Sequence, residues 1–139
     1  MTTANGVIED LSTRHMPVSN LLRWPATPEE RLSLRLSPDQ LDFYEANGFL
    51  GGVRLLEDWQ LDRLCEDLKE LMDPSHAGRE LWYEYHVNES SDPNGTLFHA
   101  LGAWRLRPGL HDILWNPAFV VPAEQLLGGA VRFWHDQLF

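Results

Sequence analysis

The nine residues Val131-Arg-Phe-Trp-His-Asp-Gln-Leu-Phe139 constrain this chain more than any other stretch. They are rich in branched and aromatic apolar side chains, which suits a pleated, half-buried strand. Alternation with period two puts Val131, Phe133, His135 and Gln137 on one face and Arg132, Trp134, Asp136 and Leu138 on the other. A strand of this kind needs hydrogen-bonding neighbours on both sides. The sequence stops before it can supply them, so the expectation is the opening part of a larger fold.

What precedes this segment is mostly helical. Ser37-Pro38-Asp39-Gln40 has the form of a helix start: a hydroxyl cap, a proline at the first helical position, an acid near the positive end of the dipole and a glutamine three residues after the cap. Asn47-Gly48 ends that helix in a left-handed turn. Phe49-Leu50 and Val53–Leu55 predict a short strand pair or extended segment, weakened by Gly51-Gly52. Leu61, Leu64, Leu68 and Leu71 repeat at helical spacing from Asp58 to Met72, with Asp62, Arg63, Asp67, Lys69 and Glu70 assigned largely to the wet side. Leu81–Val87 predicts a strand, Ser90–Gly95 a loop, and Leu97–Trp104 a returning strand. Leu110–Leu114 is one helical turn or two. Asn116-Pro117 starts a last helix that runs to Leu127 past Pro122 and stops at Gly128-Gly129. The order predicts an α+β fold with its helices placed early. Residues 1–36 lack a sustained period and are expected to form a flexible arm, with Leu21, Leu22 and Trp24 able to dock. Residues 37–139 are expected to form the folded domain.

Charge narrows the partners. The net charge is −10, and ten arginines and a single lysine, Lys69, are scattered along the chain. An acidic surface repels phosphate backbones, so no nucleic-acid partner is expected. No apolar run approaches the roughly 18 residues a membrane span requires, so no membrane partner is expected either. Cys65 is the single cysteine; it permits no internal disulfide and is expected to be a small buried apolar residue in the Asp58–Met72 helix. These features together give a cytoplasmic protein as the expectation.

Six histidines make metal binding worth testing. A non-haem iron site of the 2-His-1-carboxylate kind is commonly presented by His-x-Asp or His-x-Glu on one strand, because residues two apart share a face. None of the six has an acid two positions on: His15 is followed there by Pro17, His76 by Gly78, His86 by Asn88, His99 by Leu101, His111 by Ile113 and His135 by Gln137. The adjacent pair His135-Asp136 points to opposite faces of a strand, and His111-Asp112 reads as an exposed turn or helix start. His86 and Glu89 read as a solvated pair. No zinc spacing, phosphate-cradling glycine loop or nucleophile elbow is present. The face of the terminal segment carrying His135 and Gln137 beside apolar neighbours suits the wall of a ligand pocket in a barrel interior. From the pattern alone it suits better a core strand whose polar groups bond to their neighbours.

Two segments carry a family resemblance. Leu36-Ser-Pro-Asp-Gln-Leu-Asp-Phe-Tyr-Glu-Ala-Asn-Gly-Phe-Leu50 resembles the opening helix of the phytanoyl-CoA dioxygenase family. Leu126-Leu-Gly-Gly-Ala-Val-Arg-Phe-Trp-His-Asp-Gln-Leu-Phe139 resembles a later family segment in which a helix ends in Leu-Leu-Gly and a strand carries His-Asp-Gln. The resemblance implies a double-stranded β-helix oxygenase that depends on Fe(II) and 2-oxoglutarate and hydroxylates a small organic substrate. It implies that Gln137, with His135 beside it, lines the 2-oxoglutarate site. It also implies that the iron ligands, and the basic residue that pairs with 2-oxoglutarate, lie past Phe139, so the chain alone is expected to bind no iron or 2-oxoglutarate and to catalyse nothing. The alternative expectation is a non-catalytic interaction module that uses the open edge of the terminal strand.

Overall fold

In the computed structural model of this protein, residues 8–139 are described. Five α-helices are present there: α1 (Pro28–Ser33), α2 (Pro38–Asn47), α3 (Asp58–Leu71), α4 (Pro108–Ile113) and α5 (Pro117–Leu127). Strands β1 (Glu84–His86) and β2 (His99–Leu101) pair antiparallel, and short 3-10 turns lie at Leu11–Thr13, Arg79–Leu81 and Ala103–Arg105. The fold is thus α+β. Among the described residues no helix is long and apolar enough to cross a membrane.

Local chemistry sets the helix ends. At α2 the Ser37 hydroxyl accepts from the Gln40 amide at 3.3 Å, and the Gln40 side chain accepts from the Ser37 amide at 2.9 Å. The helix stops at Gly48, whose φ of 77° is the left-handed conformation a glycine adopts at little cost. At α3 the Gln60 side chain accepts from the Glu57 amide at 2.7 Å and donates to the Leu21 carbonyl at 2.7 Å. One residue therefore caps a helix and ties it to the N-terminal segment.

The core is small. Leu71 of α3 meets Ala103 and Leu106, and Leu81, Trp82, Leu110 and Leu138 close around them. Burying a leucine of this kind stabilises by about 2 kcal/mol. Ala103 and Leu106 belong to the connection from β2 into α4, so the core sits where both helices and the sheet converge.

Several expectations need correction. Residues 131–139 do not form a strand: the only ladder contact there is Leu138 with Ala100, through amide–carbonyl bonds of 3.2 and 2.9 Å. The reason is Asp136, whose carboxylate accepts from the Gly102 amide at 2.8 Å and the Trp104 amide at 2.9 Å. A side chain has captured the donors that a longer ladder would use. Of the two alternatives for residues 49–55 the strand pair is not formed; the segment lies outside helix and strand, and Gly52 takes a φ of 74°. Cys65 is exposed rather than buried. Asp67, assigned to the wet side of α3, is only 3% exposed.

The arm expectation covers residues 1–36, of which residues 1–7 lie outside the described part. Residues 8–36 are docked on the body: Leu11, Leu21 and Leu36 are buried. Irregular backbone can be held firmly when its amides find partners elsewhere, and here they do.

Candidate functional site

The sequence placed His111-Asp112 in an exposed turn or helix start; the pair lies in α4, but both side chains are fully buried. Asp112 accepts from the Val18 amide at 2.8 Å, the Ser19 amide at 2.8 Å and the Ser19 hydroxyl at 2.6 Å. His111 Nδ1 lies 3.1 Å from Asp112, its Nε2 lies 3.3 Å from the Arg14 carbonyl, and its ring sits near Trp104 and Trp115. A carboxylate whose acceptor sites are filled by backbone and hydroxyl donors is a structural anchor. With no opening to solvent, this pair is not where chemistry on a ligand takes place.

A second cluster is open to solvent and sits on the small sheet. The register pairs Glu84 with Leu101, Tyr85 with Ala100 and His86 with His99. Directly opposed residues on an antiparallel pair share a face, so the two imidazoles stack with centroids 5.7 Å apart and planes within 16°. Glu84 precedes His86 by two positions and shares that face, with its carboxylate 4.0 Å from His86 Nε2. The loop after β1 is closed by Asn88, whose side chain accepts from the Ser90 and Leu97 amides at 2.9 and 2.8 Å. That closure holds Glu89 over both rings, 3.6 Å from His86 Nδ1 and 2.8 Å from His99 Nδ1.

The terminal segment completes the cluster. Gln137 Nε2 lies 2.8 Å from His99 Nε2, and the Phe139 ring stacks on His99 at 5.3 Å. An imidazole that donates Nδ1–H to Glu89 carries its lone pair on Nε2, where the Gln137 amide donates to it. Potential ligand atoms of Glu84, His86 and His99 all lie within 4.8 Å of one another.

Of the two residues expected to line a cofactor pocket, the structure brings Gln137 into this cluster and leaves His135 outside it. His135 is exposed and packs edge-on against Trp134. Glu84-x-His86 presents the two side chains of a His-x-acid pair in reverse order, on the strand expected over Leu81–Val87. His99 could join only once the register was known.

The donor set decides what this cluster can hold. Two imidazoles and two carboxylates attract a cation. A dicarboxylate such as 2-oxoglutarate needs a basic partner for its free end, and among the described residues around Gln137 none supplies one. The residues present therefore do not fit 2-oxoglutarate by themselves. No protein-family model matches this sequence, and no curated protein matches it.

Proposed function

We propose that this chain is part of an Fe(II)- and 2-oxoglutarate-dependent oxygenase of the phytanoyl-CoA dioxygenase type, with the double-stranded β-helix core of that family. Such an enzyme converts 2-oxoglutarate, dioxygen and a small organic substrate into succinate, carbon dioxide and the hydroxylated product. The resemblance of residues 36–50 and 126–139 motivates the reading. The observation that supports it best is the position of Gln137, which the resemblance assigns to the cofactor pocket: the Leu138–Ala100 bridge and Asp136 fix its backbone, and its exposed side-chain amide lies 2.8 Å from His99 Nε2 on β2. In this reading Gln137 contributes to one wall, while His135, exposed against Trp134, stands apart from it. The iron ligands and the basic partner of 2-oxoglutarate come from residues past Phe139.

The test has two arms. Titrating 2-oxoglutarate anaerobically into the Fe(II)-treated chain is expected to show no specific binding. A polypeptide continued past Phe139 is expected to release succinate and carbon dioxide from 2-oxoglutarate. Stoichiometric micromolar binding of 2-oxoglutarate by the chain alone, or no turnover by the longer polypeptide, overturns the reading.

A second reading is an interaction module that accepts an extended strand from a partner along residues 131–137. It is favoured by the single bridge at Leu138 and by the exposure of Trp134 and Phe139, 87% and 75%. A chain that sediments as a monomer and gains no β signal on adding extended peptides rules this reading out.

A further inference from the structure

We propose that Glu84, His86 and His99 form a binding site for one divalent first-row transition-metal ion, of the zinc or cobalt type. The inference does not rest on the oxygenase reading, whose iron ligands lie elsewhere.

Three features carry it. The cross-strand register places His86 opposite His99 and puts Glu84 on the same face, so the backbone alone gathers the three donors. Metal–donor distances of about 2.0–2.1 Å put ligand atoms of a tetrahedral site roughly 3.3–3.5 Å apart. The three donors here, within 4.8 Å of one another, reach that spacing by side-chain rotation without moving the strands.

The second feature is Glu89. Its carboxylate lies 2.8 Å from His99 Nδ1, the arrangement in which an outer carboxylate orients a ligating imidazole. The His99 lone pair is thereby placed on Nε2. A side-chain amide donor, Gln137 Nε2–H, now occupies that lone pair. A cation takes the same place when the amide swings aside, so metal binding and the Gln137 contact compete.

The third feature is donor type. Two imidazole nitrogens and one carboxylate select zinc, cobalt or nickel over magnesium or calcium, which prefer all-oxygen shells. The second carboxylate, from Glu89, leaves the cluster negative even with both histidines neutral.

The experiment is titration of the whole chain with Co(II), followed by visible absorption, then displacement by Zn(II). One equivalent with the bands of a nitrogen-containing low-coordinate site is expected, together with imidazole NMR shifts at His86 and His99 and none at His15 or His135. Substituting the outer-shell residue, Glu89→Gln, is expected to weaken binding about tenfold, and His86→Asn about a hundredfold. His86 is exposed, so its replacement leaves the fold intact, which a melting curve verifies. Glu84→Gln separates a carboxylate ligand from a passive neighbour and is expected to weaken binding as well. No cobalt bands at millimolar metal overturn the site. So does binding unchanged in His86→Asn, or NMR shifts confined to His15 or His135.

Discussion

Replacing Asp112 tests whether a buried carboxylate holds residues 14–19 to the body. The side chain has no exposed surface and accepts three bonds from Val18 and Ser19. Hydrogen bonds to a charged group contribute about 1.5–3 kcal/mol each, but three at one carboxylate are not additive. Asp112→Ala removes all of them, strands two amides and a hydroxyl, and leaves a small cavity, for an expected loss of roughly 3–5 kcal/mol. Asp112→Asn keeps the shape but turns an NH2 group toward donors, costing about 2–3 kcal/mol. Ser19→Ala removes one bond of the three and costs about 1 kcal/mol. The order is read from urea unfolding, and the location from hydrogen exchange of the Val18 and Ser19 amides. Because a domain of this size has about 5–15 kcal/mol in total, the alanine variant is expected to be marginal and the other two well folded. A loss below about 1 kcal/mol in Asp112→Ala refutes the anchoring role, as does unchanged protection of Val18 and Ser19 in Asp112→Asn.

Arg105 holds the Asp10 carboxyl down to about 2 from its ordinary 3.8, with its Nε 3.2 Å from one carboxylate oxygen. A depressed folded value means that this contribution is present above the unfolded value and is lost as pH falls toward 2. Arg105→Gln is therefore expected to cost roughly 1–2 kcal/mol at neutral pH and to flatten the acid limb of a stability–pH curve. Asp67 behaves oppositely: burial raises its pKa, Arg63 offsets this from 3.2 Å, and one carboxylate oxygen has no partner. Its charge costs stability as pH rises through the unfolded value, so Asp67→Asn is expected to stabilise by about 0.5–1 kcal/mol at pH 7 and by nothing at pH 3. Gly102→Ala forces a side chain into a φ of 108° with its Cβ 3.1 Å from the Tyr83 ring, and a lower melting temperature corresponding to about 1–3 kcal/mol is expected.

The helix ends were legible because their chemistry is local. Ser37 and Gln40 are three residues apart, and Gly48 and Gly128 need only their own φ. Burial of Asp67 and His111-Asp112 was not legible, because the partners that make it tolerable are distant in sequence: Asp112 meets Ser19 across 93 positions. Cys65 shows a related limit, since the residue next to a core leucine on a helix lies about 100° around the axis. Period two placed Gln137 and His135 on one face of a strand, but could not reveal that Asp136 would take the amides of Gly102 and Trp104 and leave no strand there. At the candidate site, Glu84-x-His86 was readable from the strand pattern, whereas His99 depended on a register set by the loop that Asn88 closes.

Both terminal segments converge on the same stretch, from His99 to Asp112. The bonds from Asp10, Arg14, Val18 and Ser19 span 93 to 97 positions, and those from Asp136 and Gln137 span 32 to 38. During synthesis residues 10–19 leave the ribosome well before their partners at 105–112, while Leu21 meets Gln60 of α3 sooner. Helices α2 and α3 are capped by residues of their own ends and do not wait for those partners to have their first turns satisfied. Closing loops of this length before their contacts reward it slows folding relative to a chain of local contacts. The amides of Val18 and Ser19, held only by Asp112, are thus expected to gain protection late in folding.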